Sequence, residues 1–139
     1  MSGWIGVDLD GTLAQYSGWM GEGAIGSPVP AMVDRIKRWQ DSGVEIRIFT
    51  ARATEYSYYK HALKVRWFDG HRSVLYKEEF LKVYERDIKP IEDWCEQHFG
   101  QRFEVTAVKD FAMIELWDDR AIQVEMNTGM RVDGREAGA

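Results

Sequence analysis

Short apolar runs rich in strand-forming residues alternate with amphipathic helical stretches along this chain. That alternation limits the possible folds more than any other feature of the sequence. "WIGVD", residues 4–8, is an apolar run closed by an acid and predicts a buried strand. Residues 13–28 contain Gly18, Gly21, Gly23 and Gly26 and predict a flap loop. A helix is expected next. Pro28 and Pro30 suit its first turn after Ser27 as a cap, and Met32, Val33, Ile36 and Trp39 share one face. Gly43 stands where a terminating glycine belongs. "VEIRIF", 44–49, predicts a strand ending at Thr50. Ile91, Trp94, Cys95, His98 and Phe99 follow helical spacing between Pro90 and Gly100. "FEVTAV", 103–108, predicts a strand ending at Lys109, and "AMIELW", 112–117, one ending at Asp118 and Asp119. Strand, helix, strand, helix, strand implies an α/β fold with a central parallel sheet and helices packed on its faces.

The 139 residues fit one domain, and 45% apolar content suffices for a core. A net charge of −5 argues against a protein held to nucleic acid by bulk charge. The only cysteine, Cys95, leaves no internal disulfide framework and suits a reducing compartment. No apolar run is long enough to span a membrane, and no signal-peptide core precedes the first strand, so a cytoplasmic protein is expected. The small, polar residues 130–139 predict a flexible tail.

Chemistry-bearing residues stand where each strand stops. Asp8 and Asp10 follow the first strand, Thr50 the second, Lys109 the third, and Asp118 and Asp119 the fourth. In an open parallel sheet the C-terminal strand ends share one edge, where ligands bind. Four carboxylates gathered there would repel one another, and a divalent cation relieves that. Oxygen ligands of this charge suit magnesium. A lysine and a threonine beside the metal suit a phosphoryl group.

"DLDGT", the strand-terminal Thr50, Lys109 and the Asp118-Asp119 pair resemble, in order, the four motifs of the haloacid dehalogenase (HAD) superfamily. The resemblance runs from residue 4 to about 128, and "VKDFAMIELWDDRAIQV" is similar to small phage and bacterial members. It implies a Rossmann-like three-layer sandwich without a large cap domain. It also implies a phosphatase with Asp8 as nucleophile, forming an aspartyl-phosphate, and Asp10 as general acid and then base. Thr50 would hold phosphoryl oxygens and Lys109 would neutralise charge. Magnesium would be held by Asp8, the carbonyl of Asp10, Asp118, and Asp119 directly or through water. Gly11 would permit the turn after the nucleophile, and Gly11, Thr12 and Arg52 would contact substrate. A small phosphorylated substrate is implied, possible forms being a nucleotide or a nucleic-acid end. The alternatives are a phosphotransferase on the same site and a member that binds phosphate or nucleotide without turnover.

Plainer readings compete with these. A calcium loop starting at Asp8 would need acids where Thr12 and Trp19 stand. "GEGAIG", 21–26, fits a dinucleotide fingerprint but does not follow a strand directly. Cys95 and His98 fall on the apolar face of their helix and read as core residues, and His61 and His71 show no ligand spacing. Residues 53–87 are longer than a simple connection requires. Tyr59, Ala62, Leu63, Arg66 and Trp67 have helical spacing, Asp69-Gly70 reads as a turn, and "KEEFLKVYER" as a second helix. A helical insertion covering the core is the favoured reading. A substrate lid and an aromatic, basic platform for single strands are the others.

Overall fold

The computed structural model describes residues 2–65 and 70–135. Arg66, Trp67 and Asp69, and the last four residues of the expected tail, lie outside the described residues. Four strands, β1 (Trp4–Val7), β2 (Glu45–Phe49), β3 (Glu104–Thr106) and β4 (Met113–Trp117), form one parallel sheet in the order β3-β2-β1-β4. The helices are α1 (Pro30–Asp41), α2 (Thr54–Val65), α3 (Gly70–Val83) and α4 (Lys89–Phe99). An α/β fold with a wholly parallel sheet is therefore present, as the alternation predicts.

The side chains of β1 and β2 alternate between two faces. Ile5, Val7, Ile46 and Ile48 meet Met32 and Ile36 of α1 and Ile91 and Cys95 of α4 in the core. Each fully buried aliphatic side chain contributes about 1.5–3 kcal/mol. On the other face α2 lies against the β3 end. Ala107 N donates to Ser57 Oγ at 3.2 Å, and Lys60 pairs with Glu104 at 3.9 Å. Within the insertion α2 and α3 pack against each other. Its rings are largely spent on one another: Tyr56 stacks on Phe80 at 5.1 Å and Tyr59 meets Tyr76 edge-on at 5.8 Å. Among the described residues, no helix is long and apolar enough to cross a membrane.

Three boundaries differ from expectation. Helix α1 is preceded by Val29, not capped by Ser27. Ser27 O accepts Gln15 N–H at 2.8 Å and Pro28 pairs with Ala14, so the chain is still extended there. Strand β3 ends at Thr106 rather than Lys109, because Ala107 and Val108 give their N–H groups to Ser57 Oγ and Thr106 Oγ1. Pro90 stands in the first turn of α4, as its spacing predicts, but α3 runs into that helix without a break. The chain runs helically from Gly70 to Phe99 through a π turn, Tyr84–Ile88, whose wider spacing absorbs the amide that proline lacks.

Candidate functional site

Strand β1 stops in one tight turn. Leu9 O accepts the N–H groups of Thr12, Leu13 and Ala14 at 3.3, 3.0 and 2.8 Å. Leu9 is fully buried, so Asp8 and Asp10 on either side of it turn outward, and both line a cavity of about 550 Å³. The end of β2 adds Thr50, Ala51 and Arg52, the end of β3 adds Ala107, and the end of β4 adds Asp118 and Arg120. Three strand ends beyond β1 thus reach one cavity, as the parallel arrangement requires.

Carboxylate oxygens of Asp8, Asp118 and Asp119 all lie within 4.8 Å of one another. Thr12 links them. Its Oγ1 accepts Asp119 N–H at 3.0 Å and lies 3.3 Å from both Asp8 Oδ2 and Asp119 Oδ1, so its single proton can serve either. Asp118 Oδ1 accepts Arg120 N–H at 2.7 Å. Gly11 has φ +92°, and a Cβ there would lie 2.7 Å from Asp119 Oδ2. Glycine therefore provides both the turn and the room for Asp119 to close on it.

The Asp8 carboxyl is pushed up from 3.8 to about 7, first by burial, then by its hydrogen bond with Asp119 and the charges of Asp118 and Asp119, against a smaller opposing pull from Thr12. Oxygen-only donors in this field are chemically suited to a hard divalent cation, which would reverse the electrostatic logic of the cluster.

The carboxylate of Asp10 is not part of this cluster. Arg52 Nε and NH2 donate to its two oxygens, each at 2.8 Å, and NH2 also reaches Ala24 O at 2.9 Å. Arg52 therefore ties the acid after the turn to the flap, and its guanidinium lies 5.4 Å from the Trp19 ring. Thr50 is buried, and its Oγ1 accepts the Arg52 N–H at 3.2 Å. The flap is pinned at its base. Val29 N–H reaches Leu13 O at 2.8 Å, and a Cβ on Gly26 would fall 2.0 Å from Gln15 O.

Of the expected site residues, Asp8, Asp10, Thr50, Arg52 and Asp118 line the cavity, while Gly11, Thr12 and Asp119 form the wall of the acid cluster. Thr12 spends its hydroxyl on the acids instead of facing the cavity as a substrate contact. Lys109 is elsewhere. It is exposed and lines a second groove along β4, which it shares with Asp118. Asp110, next to it, accepts the Trp4 indole N–H at 2.8 Å and pairs with Arg47 at 3.4 Å, which holds this segment against the sheet face. Sequence reasoning missed Tyr16 and Arg120, both lining the cavity. Arg120 had a usable signal: it stands two residues past the strand-end Asp118, as Arg52 stands two past Thr50. Comparison with family models, with curated proteins and with solved structures gave no match to this chain.

Proposed function

We propose that this chain is a magnesium-dependent phosphomonoesterase of the haloacid dehalogenase type, with a Rossmann-like sheet and an aspartyl-phosphate formed on Asp8. One observation carries the reading: three carboxylates converge within 4.8 Å at the strand ends, beside a cavity that Thr50 and Arg52 also line. The donor set fits magnesium, with Asp8, Asp118 and Asp119 as the side chains that would hold it. Bound there, the ion would screen the acids from one another and draw charge from phosphoryl oxygens.

The chain's own residues then divide the work. An Asp8 oxygen attacks phosphorus, and the ester P–O bond breaks as the new P–O bond forms. The leaving oxygen takes a proton from Asp10. Asp10 has both oxygens engaged by Arg52, so Arg52 must first exchange it for a phosphoryl oxygen. Substrate binding and release of the acid are thereby one event. Asp10 next removes a proton from water, which attacks phosphorus, frees Asp8 and yields inorganic phosphate. The Thr50 hydroxyl donates to a phosphoryl oxygen. The charge-neutralising part expected of Lys109 passes to Arg52 and Arg120, which line the cavity.

Hydrolysis of a chromogenic aryl phosphate tests this. Turnover with magnesium is expected, with loss in chelator and in Asp8→Asn. Full activity in that variant would refute the assignment. Phosphate binding without turnover is the second reading, favoured by the hold of Arg52 on Asp10. Saturable phosphate binding with no product release from any ester would establish it instead.

A further inference from the structure

A second cavity lies under the flap. Its volume is about 460 Å³, within the range of about 300–1,000 Å³ that small-molecule sites occupy. Asp10, Tyr16 and Arg52 line it and the first cavity alike, so the two meet at the Asp10–Arg52 ion pair. Of the two cavities, Asp8 and Asp118 line only the first. Apart from Asp10 and Arg52, every described residue that lines the second cavity lies between Gln15 and Ser27. This part of the flap is held in three places. Gln15 N–H reaches Ser27 O at 2.8 Å, the Arg52 guanidinium reaches Ala24 O at 2.9 Å, and the Trp94 indole N–H reaches Gly26 O at 3.2 Å.

In-line displacement fixes where a leaving group goes. The departing oxygen lies across phosphorus from the nucleophile, within reach of the acid that protonates it. Asp10 is that acid in the proposed reaction, and the cavity it lines without Asp8 is the second one. The lining then selects the chemistry of the group. Among the described residues only Asp10 and Arg52 bring charge to it, and the reaction engages both. A leaving group with a charge of its own would lose water there and find no counter-charge. The lining offers instead the Gln15 amide, the Ser17 and Ser27 hydroxyls, the Tyr16 ring and the apolar Met20 and Ile25. Among the described residues, that amide and both hydroxyls have no hydrogen-bond partner. Unspent donors and acceptors beside an aromatic face suit a flat, uncharged heterocycle.

We propose that the second cavity receives the leaving group and that the preferred substrate is a nucleoside monophosphate. The proposal rests on the phosphatase reading for the direction in which the group departs. As Asp8 bonds to phosphorus, the ester P–O bond breaks, the nucleoside oxygen takes the Asp10 proton, and the nucleoside leaves as a neutral alcohol. Phosphate release in magnesium tests it, with ethyl phosphate as an ester too small to fill the cavity. Wild-type kcat/KM is expected to be about 10–100-fold higher for adenosine or uridine monophosphate, the gain from burying one ring. Ser17→Trp fills the cavity from an exposed position and is expected to cut that preference about 10-fold or more. Gln15→Leu removes the amide and is expected to cut it about 3–10-fold. Calorimetry on Asp8→Asn, which binds without turnover, separates this proposal from the phosphatase reading. The nucleoside monophosphate is expected to bind it about 10-fold or more tightly than inorganic phosphate does. Such binding in a chain whose wild type hydrolyses no ester would uphold the cavity and refute the hydrolysis. Equal kcat/KM for all esters, a preference for phosphoserine or a phosphorylated oligonucleotide, or a preference untouched by both variants would each overturn the proposal and leave the phosphatase standing.

Discussion

Replacing the proposed nucleophile by its amide, Asp8→Asn, should abolish activity and yet stabilise the metal-free protein. In the unfolded chain Asp8 titrates near 3.8, and in the fold its pKa is pushed up to about 7 by burial and by its acidic neighbours. The folded state therefore holds this proton more tightly than the unfolded state. The stability that Asp8 contributes is complete below pH 3.8 and is lost as pH rises through 7. A displacement of about three pH units, at about 1.4 kcal/mol each, sets a ceiling near 4 kcal/mol. Asp8 is only partly buried and solvent screens it, which lowers the figure to about 1–2 kcal/mol. For a chain of this size that corresponds to roughly 3–8 °C in Tm. Thermal unfolding in chelator across pH 4 to 8 measures it. The variant should melt with the wild type at pH 4, and progressively above it toward pH 8. Saturating magnesium should reverse the order, since the cation favours the ionised carboxylate and lifts the wild type by about 2.7 kcal/mol at a hundredfold excess over Kd. A variant no more stable than wild type at pH 8 in chelator, or a difference that does not grow with pH, would refute the reasoning.

Gly11→Ala forces a left-handed φ on an L residue, at about 1–2 kcal/mol, and drives a methyl against Asp119. Calorimetry should show lowered Tm together with weakened magnesium binding. Gly18→Ala, also at positive φ but with open space around it, should lower Tm alone. Arg52→Gln removes a guanidinium that binds both Asp10 oxygens, so steady-state kinetics on the aryl phosphate should show kcat/KM reduced by about 10–100-fold, the worth of charged hydrogen bonds. Asp10→Asn should lower kcat by about 10²–10⁴-fold in the same assay, the usual share of general acid–base catalysis.

The features carried by local periodicity were legible in the sequence. β1, β2, α1 and α4 stand within a few residues of where apolar spacing puts them, because each buries one continuous face in the core. The end of β3 was not, since its apolar run continues to Val108 while its backbone bonds are diverted by Ser57, fifty residues away. Strand-end position correctly brought Asp8, Thr50 and Asp118 to one cavity, for a geometric reason: parallel strands finish on the same side. The same rule did not bring Lys109 into that cavity: its neighbour Asp110 is held by Trp4 and Arg47, and Lys109 lines the β4 groove with Asp118. No pattern in the chain foretells that Arg52 grips Asp10, a contact set by how the β2 end meets the β1 turn and the flap. The π turn before Pro90 was equally hidden, since proline reads locally as a helix start.

A crystal grown with magnesium and a phosphoryl mimic such as trifluoroberyllate addresses the central claim most directly. One ion should lie among Asp8, Asp118 and Asp119 at about 2.1 Å from its oxygen ligands. The mimic should be attached to Asp8, with Arg52 turned from Asp10 toward it. An ion bound elsewhere, or a mimic seated away from Asp8, would contradict the assignment of this cluster as the catalytic centre.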